Sequence, residues 1–310
     1  MRSKPKQSAA LAPGLYLVAT PIGNLADISL RALEVLAKAG LVACEDTRRT
    51  RKLLSAHGIG AALTSYHEHN ATRVRPRLME RLKSGESVAL VSDAGTPLIS
   101  DPGYKLVEAA IGAHIAVTAI PGASAGLAAL TVSGLPTDRF FFAGFLPARA
   151  AARRRALGEL AAIEASLVIY ESARRLPAAL ADMAEVLGPR QGAVARELTK
   201  LHEEVRRGTL SELADHYGGS GPPKGEVVVV VGPPEPGGRA TLDARDLDAK
   251  LGAALGRASL RDAVAAVAAE TGLPRKRVYA RALELAGEPQ GGAPRGPHPA
   301  KATKGKADDP

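Results

Sequence analysis

The chain predicts an α/β protein. A mostly parallel sheet with helices on both faces is followed by a second α/β domain of more antiparallel character and a small helical module. Three observations carry this. Apolar, β-branched runs of strand length alternate with segments of helical spacing through the first half. The alternation restarts after Ser133-Gly134-Leu135-Pro136. Polar or glycine-rich residues repeatedly follow the strand-like runs, where open α/β sheets carry their ligands.

Taken in order, residues 1–13 read as a disordered tail and 14–122 as the first domain. Residues 15–19 form a short strand that ends in the tight loop Thr20-Pro21-Ile22-Gly23-Asn24. Asp27 or Ser29 can cap the next helix, whose Leu30, Leu33, Val35 and Leu36 recur at roughly helical spacing. A strand over 41–44 ends in Glu45-Asp46-Thr47, and a helix follows through Leu53 and Leu54. Residues 62–66 are strand-like, and 73–83 form a basic amphipathic helix. His67 and His69 are spaced for one face of a strand, but two histidines alone do not make a metal site. Strands at 87–91 and 115–120 flank a helix at about 104–112. The second domain, 123–235, has strands at 139–145, 166–170, 192–196 and 226–232. Its segment 149–155 is strongly basic and opens a helix. After a linker at 233–238, residues 244–286 are helical: Ser259 caps one amphipathic helix and Arg275-Lys276-Arg277 open the last. Residues 287–310 are rich in Gly, Pro and Lys and read as a disordered basic tail.

Composition narrows the function. At 310 residues the chain exceeds one ordinary domain. The formal charge of +9 favours a polyanionic partner. Trp is absent and aromatics are scarce, so a nucleic-acid surface here cannot rest on rows of stacked rings. Cys44 is the only cysteine, which excludes a disulfide framework and suits a reducing cytoplasm. No signal peptide, membrane-length apolar run or metal-binding motif is visible.

The loop Ser92-Asp93-Ala94-Gly95-Thr96-Pro97 follows the most apolar strand of the first half. It lacks the Lys-Ser or Lys-Thr of a P-loop, and its carboxylates, with Asp101 further on, would repel a phosphate. They suit a cationic or zwitterionic ligand that also offers donors, such as S-adenosylmethionine. An acidic turn that caps a helix explains the same residues as well.

Several blocks occur together. They are residues 17–28, Cys44-Glu45-Asp46-Thr47-Arg48, His67-Glu68-His69-Asn70, residues 92–97, Ile120-Pro121-Gly122-Ala123-Ser124-Ala125, Tyr170-Glu171-Ser172, Arg196-Glu197-Leu198-Thr199-Lys200 and Lys224-Gly225-Glu226. Their order resembles the tetrapyrrole-methylase superfamily from about Gly14 to Gly232. Within it, the chain is similar to the enzymes that 2′-O-methylate a cytidine of 16S ribosomal RNA, the expected position being cytidine 1402 of the decoding centre. The resemblance implies two αβα domains, S-adenosylmethionine in the cleft between them, and a homodimer. Carried over by position, Pro21, Gly23, Asp93, Ala94, Gly95, Thr96, Pro97, Gly122, Ser124, Ala125, Leu198, Thr199 and Gly225 are expected at the cofactor. For any one loop taken alone, a simple turn is the better explanation of its glycine.

A ribose 2′-hydroxyl needs a base or a stabilising cation. Lys200, Glu197, Glu171 and His67, all at predicted strand carboxyl ends, are the candidates as a set, although each taken singly reads better as a salt bridge or cap. RNA would be held by basic clusters, with Arg48, Arg49, Arg153, Arg154, Arg155 and Arg174 as the expected contacts. Arg174 stands where the resembling enzymes carry a His, so it is expected to grip a phosphate rather than act as a base. A tetrapyrrole or corrinoid C-methyltransferase and a non-catalytic rRNA-binding assembly protein are the competing readings.

Overall fold

The structure, a computed structural model, describes residues 10–101, 103–234, 244–271 and 275–287. The tail expectations for 1–9 and 288–310 and the linker at 235–238 lie outside the described residues. Of the expected N-terminal tail, Leu11 packs against the first core, and Tyr16 donates a hydrogen bond to the Ala12 carbonyl at 2.8 Å. Contacts divide the chain into two units, Met1–Glu235 and Pro236–Pro310.

The first unit holds two five-stranded sheets. The first contains β1 (Gly14–Val18), β2 (Leu41–Cys44), β3 (Leu63–Ser65), β4 (Ser87–Val91) and β5 (Val117–Ile120), in the order β3-β2-β4-β1-β5, all parallel. Every residue of β2 and β4 is buried, because helices cover both faces. Side-chain alternation splits the core in two. Tyr16, Val18, Val42, Cys44, Ala89 and Val91 pack on α1 (Leu30–Lys38) and α2 (Thr47–Ala56). Leu15, Leu41, Ala43, Val88 and Leu90 pack on α3 (Ala71–Lys83) and α4 (Tyr104–Gly112). Ser29 caps α1 by accepting from the Ala32 N–H, and Asp46 caps α2 from Arg48.

The strand expected over 62–66 is β3, and the histidines follow it. β3 stops at Ser65, and His67 and His69 lie in the turn beyond it, ring centroids 6.0 Å apart. Asn70 causes this: its side chain accepts from the His67 N–H at 2.9 Å and donates to the Ser65 carbonyl at 3.1 Å. These bonds close the turn before α3.

The second sheet contains β6 (Phe140–Phe145), β7 (Ser166–Ser172), β8 (Gln191–Arg196), β9 (Glu204–Thr209) and β10 (Glu226–Val231), in the order β6-β7-β10-β8-β9. Only β6 and β7 pair in parallel; β10 runs antiparallel to both its neighbours. The valines of β10 alternate between two layers. Val227, Val229 and Val231 face α6 (Ala150–Leu160), α7 (Leu176–Leu187) and α8 (Leu210–Ser220). Val228 and Val230 face α5 (Ala125–Ser133), whose apolar residues Ala129 and Leu130 join them in one cluster with Ile22 and Leu198. That cluster ties the loop after β1 to the second sheet. β9 is absent from the sequence reading. It is a charged edge strand, Glu-Val-Arg-Arg-Gly-Thr, and lacks the apolar alternation of a strand with a buried face.

The second unit is a three-helix cluster: α9 (Ala244–Leu255), α10 (Leu260–Thr271) and α11 (Arg275–Gly287). Leu251, Val264, Val267, Val278 and Ala282 form its core. Arg281 pairs with Asp248 at 2.7 Å and Glu284 at 2.6 Å. Among the described residues, no helix is long and apolar enough to cross a membrane.

Candidate active site

Loops at the carboxyl ends of β1 and β4 meet loops of the second sheet around a cavity of about 400 Å³. The loop after β1 is pinned first. Thr20 and Gly95 exchange backbone hydrogen bonds at 2.9 and 3.0 Å, which ties it to the loop after β4. Across the cleft, the Asn24 N–H donates to Thr199 Oγ1 at 3.1 Å. A Cβ on Gly23 would lie 2.5 Å from Lys200 Cγ and 3.0 Å from the Leu198 carbonyl oxygen. Only glycine allows that approach.

Backbone strain concentrates here. Among the described residues, five non-glycine residues have positive φ, and four border this cleft: Leu98 (74°), Ser100 (62°), Glu197 (51°) and Thr199 (66°). Such conformations persist where surrounding contacts over-determine them, and they cluster at ligand clamps.

The first domain contributes Asp93, Ala94, Gly95, Thr96, Ile99, Ser100 and Asp101 to the cavity wall, with Ile22 and Arg49. Asp93 Oδ1 accepts from the Asp46 N–H at 3.0 Å, and Oδ2 lies 3.4 Å from Arg49. Ser124 and Ala125 open α5 at the cavity. The second domain contributes Phe145, Tyr170, Glu171, Ser172, Ala195, Leu198, Glu226, Val227 and Val228. The Tyr170 hydroxyl accepts from the Gly126 N–H at 3.2 Å, and burial above all raises its pKa.

Glu171 is fully buried. Its Oε1 accepts from the Ser172 N–H at 2.7 Å and from Arg175 Nε at 2.8 Å. Its Oε2 is buried without a hydrogen-bond partner among the described residues. A buried carboxylate oxygen in a cavity wall is costly unless a ligand donates to it.

The other expected bases stand elsewhere. Lys200 pairs with Glu197 at 2.8 Å and Glu226 at 3.1 Å, with its stem against Gly23, and neither Lys200 nor Glu197 lines the cavity. The hydrogen bond from Lys200, with the Glu226 backbone N–H, holds the Glu197 carboxyl below its ordinary pKa. These two residues clasp the loop. His67 also lies off the cavity wall, its Nδ1 buried in the turn before α3. Of the expected cofactor residues, Pro21, Gly23, Pro97, Gly122, Thr199 and Gly225 shape the loops without lining the cavity, whereas Asp93 to Thr96, Ser124, Ala125 and Leu198 line it.

The model for tetrapyrrole (corrin/porphyrin) methylases matches residues 14–214. The chain belongs to this family. A model described as the RsmI C-terminal HTH domain matches residues 241–286. A protein of Mesorhizobium japonicum named ribosomal RNA small subunit methyltransferase I is 53% identical over 286 residues, 91% of this chain and 96% of that protein. A crystal structure of diphthine synthase superposes with a TM-score of 0.56 at 20% identity, covering 70% of this chain and 89% of that one. Uroporphyrin-III C-methyltransferase from Thermus thermophilus, complexed with S-adenosylhomocysteine, superposes at 0.50 and 18% identity, covering 71% and 97%. At these identities the two structures show the tetrapyrrole-methylase fold.

The family fold also sorts the arginines expected at RNA. Arg48 is 87% exposed but chelates Asp46, whose carboxyl the Arg48 hydrogen bond lowers to about 2. Arg155 and Arg174 are exposed, and Arg49 is 65% exposed at the cavity edge. Arg153 is a correction. It is buried with Asp182 at 2.5 Å and donates to the Ala148 carbonyl, so it holds α6 to α7 and cannot reach a partner. Arg154 reaches the same Asp182 from the surface at 2.7 Å. An amphipathic plot cannot separate these neighbours, because the acidic partner sits 29 residues away. Tyr170 and Phe145 are cavity residues that the sequence reading left out of the site, and Asp101, read there only as a ligand-facing carboxylate of the acidic loop, joins them. Asp101 had a signal, since it belongs to the same acidic loop as Asp93.

Proposed function

We propose that this chain transfers the methyl group of S-adenosylmethionine to the 2′-oxygen of a cytidine in small-subunit ribosomal RNA, expected to be cytidine 1402 of 16S rRNA. The observation that supports the reading is the relative at 53% identity, named ribosomal RNA small subunit methyltransferase I, which matches nearly the full length of both chains. We further propose that the enzyme acts as a cytoplasmic homodimer. Exposed Phe140 and Phe141 on the edge strand β6 offer an apolar surface for a second copy.

The cavity suits the cofactor. Its volume is in the range of small-ligand sites. Ala94, Gly95, Ala125 and Ala195 leave the main chain accessible to an adenine edge. Asp93, Asp101 and Glu226 supply a negative wall for a sulfonium. When bound, S-adenosylmethionine supplies an electrophilic methyl on a positively charged sulfur. The protein's part is then positioning: the loop clasp of Glu197, Lys200 and Glu226 fixes one wall, and the Asp93–Arg49 contact fixes the other. Exposed Arg48, Arg155 and Arg174 supply phosphate contacts with steep salt dependence.

The test is transfer from labelled S-adenosylmethionine to small subunits that lack modifications, followed by nuclease digestion and nucleoside mass spectrometry. The expected product is 2′-O-methylcytidine. Transfer to a tetrapyrrole but to no RNA would overturn the reading.

A further inference from the structure

Much of the cavity lining is acidic or small. Of the large apolar side chains described in it, Phe145 and Ile99 alone are exposed, 56% and 42% respectively. Phe145 comes from the second sheet and Ile99 from the loop after β4. Large apolar side chains left open to water forgo the gain of burial. Where they line a cavity together, they mark a surface that a ligand covers.

The backbone aims Phe145 at the cavity. All four phenylalanines of the chain lie in β6, and this is the one that lines it. β6 and β7 pair with Phe142 opposite Val168, Gly144 opposite Ile169 and Phe145 opposite Tyr170. Ala143 is therefore an extra residue, a bulge. Strict alternation would put Phe142 and Phe145, three residues apart, on opposite faces of the sheet. The bulge shifts the pleat by one residue, so Phe145 joins Phe142 on the face of Tyr170. Without it, Phe145 would turn toward the core beneath α6 and α7, where Ala143 packs.

The ring is also held in place. Tyr170 meets Phe142 and Phe145 edge to face, with centroids 4.9 and 5.6 Å away. Its hydroxyl accepts from the Gly126 N–H, which anchors the three rings to the start of α5. Gly144 has φ of 63°, and a Cβ there would lie 3.3 Å from Ser100 Oγ. The bulge therefore abuts the loop that carries Ile99. On that loop Leu98 and Ser100, both in the left-handed region, flank Ile99. Leu98 packs into the core while Ile99 stays exposed.

A rigid, open ring suits a flat, weakly hydrated group. The charged ends of the cofactor match the carboxylates of the cavity, and the adenine matches its small residues. The flat group left in the reaction is the base of the acceptor nucleotide. Arg49 at the cavity edge and exposed Arg174, two residues beyond Ser172, stand near enough in the fold to meet its phosphates. Resting on the function proposed above, we infer that Phe145 is the platform on which the base of the acceptor nucleotide stacks, with Ile99 as a second apolar contact. Phe145 is a positioning residue. By fixing the base it fixes the attached ribose, whose 2′-oxygen must stand in line with the methyl group. A base inside a duplex is already stacked on both sides, so the site takes an unpaired or flipped-out nucleotide. Stacking demands an open base without reading which base it is.

The experiment is steady-state transfer from labelled S-adenosylmethionine to small subunits that lack modifications. It compares the full chain with Phe145→Ala, Phe145→Leu and Phe145→Tyr. Cofactor affinity is measured by calorimetry and mass by sedimentation. Phe145→Ala is expected to lower kcat/KM for subunits roughly 5- to 150-fold, the worth of one base stack, and to keep S-adenosylmethionine affinity within about threefold of the parent. Phe145→Leu keeps apolar bulk without a ring and should stay near the alanine variant. Phe145→Tyr restores a ring and should recover most of the loss. Four results overturn the inference alone while the parent methylates RNA. Phe145→Ala within about threefold of the parent would mean that nothing stacks there. A loss of cofactor affinity in proportion to rate would put the ring at the adenine. Phe145→Leu as active as Phe145→Tyr would make the contact merely apolar. A change of mass on substitution would put the ring in a subunit interface. A parent chain that methylates no RNA overturns the underlying reading, and this one with it.

Discussion

Arg153 separates charge that holds the fold from charge that meets a partner. Arg153→Met keeps much of the stem and removes the guanidinium. Three contacts go: Nε to Asp182 Oδ2 at 2.7 Å, Nη2 to the same oxygen at 2.5 Å, and Nη1 to the Ala148 carbonyl at 3.1 Å. Asp182 is 6% exposed, so water replaces little of this. Breaking one side of a buried pair costs about 3–5 kcal/mol, and the Arg154 contact that remains on Oδ1 places the loss near 3 kcal/mol. For domains of this size each kcal/mol lowers Tm by about 2–4 °C, so the expected drop is roughly 6–12 °C. Thermal unfolding followed by circular dichroism reads it. The double variant Arg153→Met with Asp182→Leu should recover more than half of the loss, since no buried charge is then stranded. RNA affinity and its salt slope, measured below the transition, should match the parent. A Tm within about 2 °C of the parent, or a shallower salt slope at unchanged Tm, would refute the assignment.

Three further outcomes follow from the same geometry. Gly23→Ala should force the loop after β1 away from Leu198 and Thr199; about 1–3 kcal/mol of overpacking weakens S-adenosylmethionine binding roughly 5- to 150-fold by calorimetry, and unchanged affinity would mean the two loops are not coupled. Cys44 is buried and burial raises its thiol pKa, so a disulfide reagent at pH 8 should find no thiol in the native protein and one after denaturation; fast native labelling would contradict the burial. The Glu197 carboxyl is held below its usual value of 4.5, so its contribution is present above that value and lost as pH falls through the folded one. Lys200→Met should mimic that loss at neutral pH, weakening cofactor binding severalfold while the pH profile of transfer stays in place; a shifted profile would put Lys200 at the reacting atoms instead.

Every strand but β9, the parallel first sheet and the small-residue loops at its carboxyl edge were legible in the order of residues. The reason is local: burial on both faces writes a continuous apolar run such as 87–91, and a ligand loop must be small and polar wherever the backbone approaches closely. The antiparallel tendency of the second half was also readable, but β9 was not, since an edge strand with charged residues carries no alternation to read. What the tertiary structure alone decided was pairing. Gly23 makes room for Lys200, Asn24 meets Thr199 from 175 residues away, and Asp101 comes to lie in the cavity wall. Arg153 and Arg155 stand two residues apart in one basic run, yet one is sealed against Asp182 and the other is exposed. Residue type fixes what a side chain can do. Which charges face each other depends on helices and loops packing from distant parts of the chain, and no local pattern records that distance.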